Sequence, residues 1–198
     1  MEYEAVILYT RGKKVSLLSN VNGRCDALLY YSSRTQITCE GTLISFQEYT
    51  KKGGIFIVKN PILKDIPLMW AKHDIYLLHC LLELCYHFVP LGTEGEEVFY
   101  FFKNLYRQNF FCVHQKIRKI VVCKLLSLLG VCPEGIKFHP ILILLSQLAI
   151  DNVVVADLEL VSEDVLDEWI SWSIEEHPYG RWFKAVPFFL KVKTNEYV

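Results

Sequence analysis

The chain reads as an α+β protein, with short strands over residues 1–60 and helices over residues 61–198. Three observations predict this. Up to residue 60, short β-branched and aromatic runs are separated by tight-turn dipeptides. From Pro61 onward the apolar spacing lengthens to a helical period. Hydrophobic residues make up 52% of the 198 residues and charged ones 22%, enough for a sizeable core.

The strands follow in order. YEAVILYT (3–10) and KKVSLLSN (13–20) are joined by a short Arg11-Gly12 turn. Asn22-Gly23 is the strongest turn signal, and CDALLYYS (25–32) follows it. QITCEGTLISFQEY (36–49) and IFIVKN (55–60) flank the turn Lys51-Lys52-Gly53-Gly54. Gly41 marks a bulge or corner in the fourth strand. Five short strands with little helical character predict a small barrel or a sandwich. PILKDIP then opens a linker over about 61–71.

Helical signals come next. KHDIYLLHCLLELCYHFV (72–89) stops at Pro90-Leu91-Gly92, and EEVFYFFKNLYRQN opens with acidic residues that suit a helix N-terminus. A third helix over 110–129 ends in CKLLSLLGVCPEG, where Gly130 and Pro133 are stop signals. HPILILLSQLA carries Pro140 in its first turn. SEDVLDEWISWSIEE has Ser162 as N-cap, and RWFKAVPFFLKVK closes the chain.

Net charge is −1, which excludes a uniformly basic nucleic-acid binder, but the charges are segregated. Residues 1–60 hold eight basic and five acidic residues. Residues 103–137 hold seven basic residues against Glu134 alone, while 151–176 hold nine carboxylates and no lysine or arginine. The longest apolar run, FHPILILLSQLAI, is too short to cross a bilayer, and MEYEAV lacks a basic region ahead of an apolar one. A soluble, cytoplasmic protein is expected. Seven irregularly spaced cysteines with no CxxC point to reduced thiols rather than disulfides or zinc.

Candidate chemistry is sparse. His79, Glu83 and His87 lie i, i+4, i+8 on one helix, as either a metal-binding stripe or the polar edge of a packed helix. No cysteine has the basic setting and facing histidine that a nucleophile needs, and no GxSxG, P-loop or dinucleotide fingerprint occurs. No enzymatic activity is expected. On the 110–129 helix, Phe110, Val113, Ile117, Val121 and Leu128 form one side, and Cys112, Gln115, Lys116, Lys119 and Ser127 the other. That basic side either meets water or receives an acidic ligand. In the strand region, cations in or beside turns alternate with Tyr30, Tyr31, Phe46 and Tyr49. Such a surface suits single-stranded nucleic acid, and small barrels also serve as plain protein-interaction modules.

Taken in order, these segments resemble the RecO family of bacterial recombination mediators. Val15-Ser16-Leu17-Leu18, Asn22-Gly23-Arg24 and Ser32-Ser33-Arg34 correspond to the family's opening strands and basic steps. HDIYLLHCLLELCYHFVPLGTEGEEVFYFFKNLY is similar to its first helical pair, KLLSLLGVCPEG to its leucine-rich helix, and ISWSIEEHPYGRWFKAVPFF to its closing segment. The loop between the first two strands is shortened to Arg11-Gly12, and no Cys pairs follow the Gly–Pro helix end. No zinc is therefore expected, and Cys132 is read as a helix-end packing residue.

The resemblance implies a five-stranded OB-type barrel over 1–60 and an all-α domain over 61–198. It implies a non-enzymatic protein without cofactors that binds single- and double-stranded DNA and anneals strands. With RecR it would load RecA onto strands coated by single-strand-binding protein, whose acidic C-terminal tail would dock on the helices. Association with the nucleoid would follow. Lys13, Lys14, Arg24 and Arg34 are the candidate DNA contacts, and Arg107, Lys116 and Lys119 those for the tail. The alternative is an adaptor with the same barrel and helical bundle that binds no DNA.

Overall fold

The computed structural model describes residues 2–31, 39–107, 115–147, 161–178 and 180–191. Its strands are β1 (Tyr3–Arg11), β2 (Lys14–Ser19), β3 (Gly23–Tyr30), β4 (Leu43–Phe46), β5 (Tyr49–Lys52), β6 (Ile55–Lys59) and β7 (Ile62–Asp65). Its helices are α1 (Leu68–Phe88), α2 (Glu96–Arg107), α3 (Gln115–Leu128), α4 (His139–Gln147), α5 (Glu163–Glu175) and α6 (Ala185–Lys191). The α+β class stands as expected.

All seven strands form one mixed sheet in the order β5-β6-β3-β2-β1-β4-β7, in which only β3 and β6 run parallel. The five-stranded closed barrel is thus corrected to an open seven-stranded sheet, with no ladder between β4 and β5. The fourth expected strand, 36–49, does not run through. Leu43–Phe46 pairs with β1, the chain bends at Gln47-Glu48, and Tyr49–Lys52 pairs with β6 instead. Gly41 lies in a turn before β4 rather than within a strand. The extra edge strand, β7, arises from ILKD inside the expected linker.

The sheet is nevertheless strongly coiled. In a flat sheet at about 4.8 Å per strand, β5 and β4 would lie roughly 24 Å apart. Yet only Gln47 and Glu48 separate them, a reach of roughly 11 Å at full extension. Its concave face therefore packs on itself, through Ala5, Ile7, Val15, Leu17, Ala27, Leu29, Ile44, Phe46, Phe56 and Val58. These residues alternate with the outward set, as period-2 strands require.

The convex face is apolar on one side only. Val6, Leu8, Leu18 and Leu43 join Leu77, Leu81, Phe99, Phe102, Leu125 and Trp169 in the helical core. In that body α6 packs on α1, and α5 on α3. The N-caps and stops behave as their chemistry predicts. Ser162 Oγ accepts from the Val165 N–H at 3.3 Å at the head of α5. After α3, Gly130 adopts a left-handed backbone (φ 73°). It lets Val131 N–H reach Leu126 O at 2.9 Å and Gly130 N–H reach Ser127 O at 3.0 Å, a paired helix stop. Cys132, expected to pack at this helix end, is exposed instead, its Sγ 3.9 Å from Ser127 Oγ.

Candidate nucleic-acid interface

Among the described residues the helices pack mainly against β1 and β2 and leave the far half of the convex face open. On β3, Ala27 and Leu29 point into the sheet's core, so Leu28 and Tyr30 point outward. On β6, Phe56 and Val58 point in, and Ile55, Ile57 and Lys59 point out. Register joins them into rows. Lys14 pairs with Leu28, Leu28 with Ile57, and Ile57 with Thr50, while Tyr30 pairs with Lys59 one step further on. Tyr30, the last residue of β3, is 49% exposed and has a lysine directly beside it.

Two lysine-bearing turns bracket this face. The β1–β2 turn sits at the Tyr30 end, where Lys13 O accepts from Leu29 N–H at 3.2 Å. The β5–β6 turn at Gly53-Gly54 lies towards the other end, since Phe56 is level with Ala27. Lys13, Lys52 and Lys59 are exposed and have no ion-pair partner among the described residues. Lys51 turns the other way, its ammonium 5.3 Å from the Phe56 ring. Lys14 is half-exposed and pairs with Asp26 at 2.8 Å.

Arg24 belongs elsewhere. Its Nη1 donates to Val89 O at 2.9 Å, its Nε to Ser16 Oγ at 3.4 Å, and its guanidinium lies 4.3 Å over the Tyr86 ring. Burial pulls its pKa below the ordinary arginine value, with Tyr86 and Asp26 opposing. The α1–α2 loop pairs with the same strand. Gly92 N–H bonds Arg24 O at 2.8 Å, and Arg24 bridges Leu91 in parallel. Gly23 (φ 57°) is required here, because a Cβ on it would lie 1.5 Å from Thr93 O. The Asn22-Gly23-Arg24 step is therefore a junction between sheet and helices, not a free cationic turn. Arg34 lies outside the described residues.

The three candidate cations for an acidic tail are not equivalent. Arg107 is exposed at the end of α2, and Lys116 is half-buried in the first turn of α3. Lys119 is buried and donates to Glu163 at 3.0 Å and Asp167 at 2.8 Å on α5. Burial lowers its pKa, but the bonds to Asp167 and Glu163 outweigh that and hold it above the ordinary lysine value. A ligand carboxylate would have to displace two resident ones. The expected basic side of this helix does not form. Residues Ile117 to Cys123 are buried all round, and Arg118 closes on Asp74 at 2.5 Å. Lys137 likewise pairs with Glu168. Of the seven basic residues of 103–137, Lys119 and Lys137 thus meet carboxylates of the acidic 151–176 segment, while Lys103 pairs with Glu4, Arg118 with Asp74, and Lys124 donates to Leu145 O.

The His79–Glu83–His87 stripe is divided among different partners. The Glu83 carboxylate accepts from the N–H groups of Lys184 (2.7 Å), Ala185 (2.8 Å) and Val186 (3.1 Å), capping α6 from a distance. His79 lies 3.9 Å from Glu40. His87 packs its ring 4.6 Å from that of Phe183 and 6.2 Å from that of His177. Among the described residues no group of three His, Cys, Asp or Glu side chains is arranged to hold a metal ion. Burial raises the thiol pKa of Cys80, Cys85 and Cys123 far above its ordinary value, and that of Cys25 to about 12. These four are packing groups, not nucleophiles. No described helix is long and apolar enough to cross a membrane.

Sequence reasoning named Lys13 and Lys14 beside this face and did not single out the exposed Lys52 and Lys59 that share it. The signal was present. In IFIVK the polar Lys59 falls in phase with Ile55 and Ile57, the outward set. Comparison of the chain with protein-family models and with curated proteins found no match.

Proposed function

We propose that the chain binds single-stranded nucleic acid across the convex face of β2, β3, β6 and β5, without covalent chemistry. The observation that carries this is the exposed Tyr30, flanked in register by Lys59 and bracketed by Lys13 and Lys52. Exposed rings stack bases of any sequence, and lysines replace the counterions of the phosphates. Two strands neutralised in this way can be brought together without sequence readout. The resemblance to RecO mediators extends the proposal to strand annealing, duplex DNA and loading of RecA with RecR. Arg107 and Lys116 are then the cations left for the acidic tail of a single-strand-binding protein.

Anisotropy of a labelled oligonucleotide, titrated with salt, tests this. Three phosphate contacts on a single strand give a slope of log K against log salt of about −2. Affinity should therefore fall about twentyfold between 50 and 200 mM salt. The triple variant Lys13→Glu, Lys52→Glu, Lys59→Glu should abolish binding at low salt. Undiminished binding by that variant would overturn the assignment.

A second reading is favoured by the pairing of Lys119 with Glu163 and Asp167 and of Lys137 with Glu168. Those pairs neutralise the helical body, as suits an adaptor that binds protein rather than DNA. An adaptor shows no log-linear salt slope with the oligonucleotide, so the same titration separates the two.

A further inference from the structure

At the Tyr30 end of the open face lies a cavity of about 310 Å³, lined by Tyr30, Tyr31, Ile57, Lys59 and Asn60. We propose that it is a nucleobase pocket that holds one base of the bound strand, stacked on Tyr30, with Lys59 on the adjoining phosphate. This rests on the single-strand reading above and makes it more specific.

The size falls at the small end of the 300–1,000 Å³ typical of small-ligand pockets, as one base demands. The lining combines two aromatic rings and the aliphatic Ile57 with the cation of Lys59. That combination matches a flat heterocycle tied to a single negative linkage.

The rim is also held in place before any ligand arrives. Asn60 is the one non-glycine residue with a left-handed backbone (φ 48°) among the described residues. Its N–H bonds Tyr30 O at 2.7 Å, tying the end of β6 to the strand that carries the ring. Asparagine adopts that backbone at little cost, so the turn after β6 is set without strain. Elsewhere on the face of β2, β3, β6 and β5 the outward groups, such as Lys14, Asp26, Leu28, Thr50, Lys52 and Ile57, offer no ring. The pocket therefore binds one base per footprint, and the remaining contacts follow the backbone.

The test compares two strands of equal length and charge, oligo-dT and the same backbone made wholly abasic. Wild-type protein should bind oligo-dT about tenfold or more tightly than the abasic strand, the worth of one base–aromatic stack. Tyr30→Ala should remove that preference and leave abasic binding unchanged, while Tyr30→Phe keeps it. Thermal melts of both variants check that they fold, as a half-exposed ring should allow. Equal wild-type affinity for both strands, or a preference that survives Tyr30→Ala, would overturn the pocket while leaving the single-strand reading intact. Failure of both strands to bind at low salt would overturn that reading and the pocket with it.

Discussion

Replacing Arg24 by alanine should weaken the fold and leave strand binding alone. The substitution removes a charged donor from Val89 O, a weaker bond to Ser16 Oγ, and a cation from the face of Tyr86. A hydrogen bond from a charged group contributes about 1.5–3 kcal/mol, and a cation–π contact of this kind about 1 kcal/mol. The half-exposed setting favours the lower end, so the loss should be roughly 2–4 kcal/mol. With a urea dependence of about 2 kcal/mol per molar, the unfolding midpoint should fall by roughly 1–2 M. Arg24→Lys keeps the charge but loses the fork and the stacking plane, and should fall between the two. Oligonucleotide affinity, measured on folded variant at low salt, should match wild type. An unchanged midpoint together with weakened strand binding would refute the structural role and return Arg24 to the DNA-contacting set.

Three further outcomes follow from the same contacts. Gly23→Ala forces a Cβ into Thr93 O and a left-handed backbone on alanine, so a loss of about 3 kcal/mol or more is expected in denaturant melts. Glu83→Ala strips the start of α6 of its acceptor and should cost about 1–2 kcal/mol, as for other helix caps. Limited trypsin digestion at Arg181 and Lys184 should accelerate, with Glu83→Gln milder; unchanged digestion would count against the cap. Burial holds the imidazoles of His87 and His177 below the usual pKa of 6.5. Glu83 opposes this at His87, where His177 and Arg24 reinforce it, and a bond to the His87 backbone opposes it at His177. The unfolded chain then takes up protons that the folded one refuses. Stability should be full above about pH 6.5 and decline as pH falls through the lower folded values. Melting temperatures between pH 7.5 and 5 check this, and the double variant His87→Gln, His177→Gln should flatten the profile.

Much of the architecture was legible because its cues are local. The Ser162 cap, the Gly130 stop and the tight-turn dipeptides Arg11-Gly12, Asn22-Gly23 and Gly53-Gly54 each depend on a few neighbouring residues. What escaped depends on partners distant in sequence. ILKD lies in a stretch of five residues between Pro61 and Pro67 and has no periodicity of its own, so β7 exists only because β4 offers it an edge. Lys119 looks like a surface lysine until α5, 44 and 48 residues away, supplies Glu163 and Asp167. Arg118 needs Asp74, 44 residues before it. The site was half readable for the same reason. Lys13 sits in a turn that announces itself, but Arg24 sits beside an equally plain turn and is claimed by Val89 and Tyr86 from the helical half.

The greasy outer side of the sheet has a practical consequence. Val6, Leu8, Leu18 and Leu43 have no cover except the helices. A fragment ending near residue 60 would therefore present four adjoining hydrocarbon groups to water and lose the clasp at Arg24. Such a piece should clump or stay molten rather than work as an isolated module. Sheet and helices should melt together in one cooperative step, and dissection of this protein is better done by point changes than by truncation.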